Sequence, residues 1–136
     1  MKTRVLITTW LLLLAAIGSY AQKSASDVPK EVLGTWSGGW EGMGQSGGFE
    51  LTLEKGKDGG AGRVAVTGEP TYNATFKTMS FEGKKMTAAY DFPPDEQAEV
   101  VLVAAFEGDS ASGTWVLRAK QDKTEVASGT WKVKKK

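Results

Sequence analysis

Ser112-Gly113-Thr114-Trp115 returns sixteen residues later as Ser128-Gly129-Thr130-Trp131, with Gln121-Asp122-Lys123 between the two copies. A chain that turns on those three residues pairs positions whose numbers sum to 244. Trp115 then lies opposite Gly129 and Trp131 opposite Gly113, so each indole covers the hole a glycine leaves across the ladder. The same register puts Trp115, Leu117, Ala119, Ala127, Trp131 and Val133 on one face. Arg118, Lys120, Lys132 and Lys134 fall on the other. A slip of one residue would mix the faces. The repeat therefore reads as packing within a hairpin, not as a binding code.

The same period-two alternation extends toward the N-terminus, punctuated by Gly, Asp, Asn and Pro. It predicts eight strands: Gly34–Gly42, Gly48–Lys55, Gly62–Gly68, Asn73–Phe81, Lys84–Phe92, Ala98–Glu107, Ser112–Lys120 and Thr124–Lys134. Helical periodicity is limited to one turn at Val28–Leu33. Hairpin-length links such as Glu82-Gly83 and Gly108-Asp109 join antiparallel neighbours, because parallel strands need long crossovers. The expected fold is all-β, a single eight-stranded antiparallel up-and-down barrel that closes its own edges. A two-sheet sandwich is the alternative. Trp36, Trp40, Phe49, Leu51, Leu53, Val64, Val66, Met86, Tyr90, Phe92, Val100, Leu102 and Phe106 supply its interior. Phe76, Met79 and Phe81 break parity in the fourth strand, which predicts a bulge near Thr78.

Upstream of the barrel, Lys2 and Arg4 precede an apolar run from Val5 to Ile17, and Ser19-Tyr20-Ala21 offers small residues at −3 and −1 of a cleavage site. This is the pattern of a cleaved secretory signal peptide, residues 1–21, and the run is too short for a membrane anchor. Residues 22–33 are then expected to cross the closed end of a barrel formed by 34–136. The product is expected to be periplasmic or secreted, with no transmembrane anchor. Its 136 residues allow one domain and contain neither Cys nor His. That removes disulfides, thiol nucleophiles, thiolate zinc sites and the commonest general base and haem ligand. No catalytic residue, metal or cofactor is predicted. Removing Lys2 and Arg4 takes the formal charge from +1 to −1, and Lys132, Lys134, Lys135 and Lys136 concentrate positive charge at the C-terminus. The acidic remainder argues against nucleic acid, and the lysine tail reads as a solvated strand end.

Alternate loops of such a barrel fall at opposite ends. Glu41–Gly47, Thr67–Tyr72 and Pro93–Gln97 share one end and are the longer loops, so that end is the expected mouth. Inward residues nearest it are Trp40, Phe49, Val66, Phe76, Tyr90, Phe92, Val100 and Leu117, and Met43 can fold over the rim from a glycine-rich loop. They are the candidate ligand-binding set; equally, they can simply fill the core.

Gly34-Thr35-Trp36, opening the first strand after a short crossing segment, resembles the Gly-x-Trp signature of lipocalins and other calycin-like barrels. The resemblance implies that Trp36 sits at the barrel base and that small-molecule binding is a common use of the fold. Lipocalins cover that Trp with a late Arg, where the last strand here offers Lys132 and Lys134. Gly34-Thr35-Trp36-Ser37-Gly38 is also similar to the start of the haem-binding nitrobindins, whose His is missing here. Streptavidin-like barrels share Gly-x-Trp, but their biotin-binding set does not map onto this chain.

Asp91, Asp95, Glu96 and Glu99 surround Pro93-Pro94. They match no EF-hand spacing and read as a solvated acidic loop. The glycine-rich Gly42–Gly48 stretch lacks the Lys-Ser/Thr of a phosphate loop and reads as a mobile rim loop. Val101, Val103 and Ala105, with Val116 beside them, form an outward apolar stripe across the predicted strands 5–7. Such a stripe is either covered by the Gln22–Leu33 segment or used as an interface, for a homo-oligomer or another protein partner. The expected function is non-enzymatic binding of a small apolar molecule at the open end. The alternative is a protein-interaction or inhibitor module that uses the outer face of strands 5–7 around a filled core. An enzymatic reading survives only through the acidic residues and Tyr90.

Overall fold

Among the described residues alternating burial produces nine strands: β1 (Gly34–Gly42), β2 (Gln45–Glu54), β3 (Ala61–Val66), β4 (Tyr72–Thr75), β5 (Thr78–Glu82), β6 (Lys85–Asp91), β7 (Ala98–Glu107), β8 (Ser110–Ala119) and β9 (Glu125–Lys135). They belong to a computed structural model that describes residues 28–56 and 60–136. The predicted signal peptide, and the start of the segment after it, lie outside the described residues. All nine strands form one antiparallel sheet in the order β4-β3-β2-β1-β9-β8-β7-β6-β5, curled into a half-barrel. The first and last strands pair, with Trp36 opposite Lys135 and Trp40 opposite Trp131. The edges of the sheet therefore fall in the middle of the chain.

The ninth strand corrects the sequence reading. The predicted fourth strand is divided between the two edges, β4 on β3 and β5 on β6. Only Phe76 and Lys77 separate them. The Phe76 N–H donates to the Gly62 carbonyl at 2.8 Å, and the Lys77 N–H donates to the Ala89 carbonyl at 2.9 Å. Two residues thus carry the backbone from one edge to the other. The parity break at Phe76 marks this transfer and not a bulge within a single strand.

The hairpin built on the repeat has the expected register. Gly113 pairs with Trp131, Trp115 with Gly129 and Leu117 with Ala127, and the ladder shifts only between Leu117 and Arg118. Neighbouring backbone crowds both of its glycines, the Glu41 carbonyl of β1 at Gly129 and β7 at Gly113. At Gly129 the Trp115 indole lies over the glycine, and its Nε1–H continues to the Glu41 carbonyl at 3.1 Å. At Gly113 the nearest atoms to a would-be Cβ are the Val103 carbonyl and the Ala104 Cα, so β7 backbone crowds a position expected to lie under Trp131. Strand glycines mark such bends and close approaches.

Trp36, Phe106 and Val32 pack together at one end of the core. Trp36, Leu51, Leu53, Phe81, Met86, Leu102 and Trp131 are fully buried, each contributing about 1.5–3 kcal/mol by leaving water. Trp36 meets the Phe106 ring edge-on at 5.1 Å and donates from Nε1 to the Val32 carbonyl at 3.0 Å. Val32 is buried within the 3-10 turn Lys30–Val32, and Val28 packs on the core beside Gly60 and Met79. Lys135 Nζ lies 5.6 Å from the Trp36 ring centroid and donates to the Glu31 carbonyl at 2.9 Å. This is cation–π range. The cation over Trp36 is therefore Lys135; Lys132 and Lys134 stay exposed on the outer face.

Candidate functional site

The opposite end is not filled. A cavity of about 320 Å³ opens there, within the size range of small-molecule sites. One wall comes from β1, β2 and β3 through Trp40, Gly42, Phe49 and Val66, with Met43 and Gln45 at the hairpin tip. The facing wall comes from Tyr90 on β6, Phe92 just after it, Val100 and Leu102 on β7, Trp115 and Leu117 on β8, and Ala127 on β9. Glu69, Pro70 and Tyr72 complete the ring. Period-two alternation accounts for the strand-borne set, because only one side chain in two points inward.

Of the predicted rim residues, Trp40, Met43, Phe49, Val66, Tyr90, Phe92, Val100 and Leu117 line this cavity, and Phe76 does not. Phe76 packs over Gly62 and stacks on Tyr90, with ring centroids 6.1 Å apart and planes at 14°. It follows the last residue of β4, where the backbone is already passing to the other edge. Of the three expected rim loops, those between β3 and β4 and between β6 and β7 are present, and Glu41–Gly47 is built differently. β1 and β2 run to a two-residue turn at Met43-Gly44, both with positive φ (55° and 75°). Such a turn suits a twisted hairpin. Gln45–Gly48 is therefore strand and not loop, and Trp40 lies directly across from Gly47. Met43, at the tip, is 70% exposed.

Sequence reasoning misses Tyr72 and Trp115. Tyr72 precedes the predicted start of its strand, and Trp115 reads in the sequence only as a cover for Gly129. The available signal for Trp115 is its inward parity with Leu117, two residues on. Tyr72 pairs with Val66 on one side and reaches across to β6 on the other, where its hydroxyl meets that of Tyr90 at 2.7 Å. Tyr72 also contacts the Phe92 ring edge-on at 5.4 Å. Among the described residues β4 and β6 share no backbone ladder, so these rings and hydroxyls span the gap between them. Burial raises the pKa of Tyr90, and the neighbouring Tyr72 raises it further. Burial also raises that of Tyr72, partly offset by its bond to Tyr90. Both remain protonated hydroxyls across physiological pH. The indole donors are already engaged: Trp40 Nε1 with the Thr67 carbonyl at 3.0 Å and Trp115 Nε1 with that of Glu41.

Outside the cavity, Asp91, Asp95 and Glu96 of the acidic loop are exposed as expected, but Glu99 is not. Glu99 is 3% exposed and its carboxylate takes three cations: Lys77 at 2.7 Å, Arg118 at 2.7 Å and Lys123 at 3.0 Å. Asp91 takes Lys77 and Lys120. Among the described residues no group of three or more acidic side chains comes together as a metal site. The Lys77 bond, more than any other contact, pulls the Glu99 pKa down to about 2. A depressed carboxylate stabilises the fold fully above its ordinary pKa, and that contribution disappears as pH falls through the folded value. Glu99→Gln is expected to cost about 2 kcal/mol at pH 7, held below the full value of the shift because Lys77 and Lys123 reach solvent. Paired thermal melts should show this gap closing as pH is lowered from about 4.5 toward 2.

On the outer face of β6–β8, Val103 is 44% exposed, Ala105 is exposed, and Val101 and Val116 are half-buried. No helix among the described residues is long and apolar enough to cross a membrane. Comparison with protein-family models, curated proteins and solved structures finds no match.

Proposed function

We propose that this chain is an exported, non-enzymatic binding protein that holds a small apolar molecule in the cavity at the open end of a calycin-like barrel. The observation that carries the reading is an unfilled volume of about 320 Å³ walled by aromatic and aliphatic side chains, beside an end that is tightly packed. An apolar space left unfilled sacrifices dispersion contacts on every lining atom, so a guest that restores them is favoured. The barrel itself is read as closed, with the bent fourth strand of the sequence prediction serving both edges through Phe76-Lys77. Export rests on the N-terminal pattern of Lys2, Arg4, the apolar run and Ser19-Tyr20-Ala21. The interaction-module alternative requires a filled core, and the unfilled mouth favours the carrier.

The test is cavity filling. Ala127 lines the site and is half-buried, so Ala127→Phe places a ring inside the mouth without touching the packed end. Titration with the apolar fluorophore 1-anilinonaphthalene is expected to saturate at one equivalent with the unaltered protein. With Ala127→Phe the affinity should fall at least about tenfold, while the thermal midpoint moves only a few degrees. Equal affinity for both proteins would exclude the cavity as the binding site.

A further inference from the structure

We propose that the Tyr72–Tyr90 hydroxyl pair makes this cavity selective for uncharged apolar molecules carrying one hydrogen-bond acceptor oxygen, such as a ketone or ester, over carboxylates. The inference deepens the binding reading above and rests on it. Two phenolic hydroxyls carry two hydrogens. At 2.7 Å the pair uses one of them between its own oxygens, and the second is spare. The indoles in the wall are already committed to the Thr67 and Glu41 carbonyls. Below the rim, where Gln45 and Glu69 sit, the pair is therefore the one side-chain donor among the described residues still able to meet a guest. No Lys or Arg among the described residues lines the cavity. A carboxylate would lose its hydration there without gaining a counter-charge, which is costly, and Glu69 at the mouth adds like charge. A neutral acceptor meets neither penalty and gains a hydrogen bond.

The experiment is isothermal titration calorimetry of the purified protein with three probes of similar shape: 2-acetylnaphthalene, 2-isopropylnaphthalene and 2-naphthoate. The ketone is expected to bind about fivefold or more tightly than the hydrocarbon, the value of one neutral hydrogen bond. The carboxylate is expected to bind at least about 100-fold more weakly than the ketone at pH 7. Either single Tyr→Phe variant keeps one free O–H, so each should retain a ketone preference. The double variant Tyr72→Phe/Tyr90→Phe should lose it, binding ketone and hydrocarbon within twofold of one another. Equal binding of all three probes by the unaltered protein would overturn the selectivity and leave the cavity reading standing. A ketone preference that survives in the double variant would overturn it too. Binding of none of the probes would remove both readings together. The comparison among probes on the unaltered protein is decisive even where the double variant does not fold.

Discussion

Gly113→Ala should remove a large share of the protein's stability. The added methyl would fall on the Val103 carbonyl oxygen, with the Ala104 Cα close behind it. Neither can withdraw, because both are backbone atoms of β7, bonded into ladders with β6 and β8 on either side. Any rearrangement would have to pull neighbouring strands apart over several residues. The loss should exceed about 4 kcal/mol, against a total of about 5–15 kcal/mol for a domain. Gly108→Ala is the control. Gly108 has φ 60° but open space around its Cβ position, so only the left-handed backbone is penalised, by about 1–2 kcal/mol. Urea titration of the two variants separates steric crowding from backbone preference. Similar midpoints would mean that β7 and β8 are not held this closely.

Trp131→Ala is the second large effect, expected at about 3–5 kcal/mol. Trp131 is buried, lies opposite both Trp40 and Gly113, and meets the Phe49 ring at 5.0 Å. Its indole donates to the Thr114 carbonyl at 3.1 Å. Trp131→Phe keeps most of the packing and removes the donor, so it should lose about 1–2 kcal/mol. Denaturant midpoints of the pair apportion the loss between ring volume and the Nε1–H bond. A Phe variant as unstable as the Ala variant would place most of the effect in that bond.

These two residues also show why much of the fold is legible in the sequence. The Ser-Gly-Thr-Trp repeat supplies a register because a Trp and a Gly opposite each other are complementary in volume, and period-two parity then assigns every flanking residue to a face. The inward residues of the cavity follow from the same parity. Phe76 cannot be placed this way: parity assumes a strand that keeps its neighbours, and at Phe76 the neighbours change. Tyr72 falls outside the predicted strand because Thr71 and the Gly68-Glu69-Pro70 stretch resemble a loop running up to Asn73. Glu99 groups with Asp91, Asp95 and Glu96 by closeness in sequence. What buries it is a set of cations from Lys77, Arg118 and Lys123, distant in sequence and brought together by the curl of the sheet. The long rim loop expected at Gly42–Gly48 fails for a related reason. Its glycines signal a flexible loop, whereas Gly47 accommodates the indole of Trp40 across a regular ladder.

Pairing β1 with β9 has a temporal consequence. The ladder at the middle of the sheet joins the two ends of the described chain, so it cannot begin until the last strand is available. Until then the molecule is two runs of hairpins joined through Phe76-Lys77, β1 to β4 and β5 to β8, each ordered by local contacts and each with an unsatisfied border. The slow step of folding is expected to be the meeting of those runs, since closing so long a loop precedes any reward from the contacts it makes. A chain released before Lys135 would keep its aromatic interior open to water, and so would be a natural substrate for chaperones.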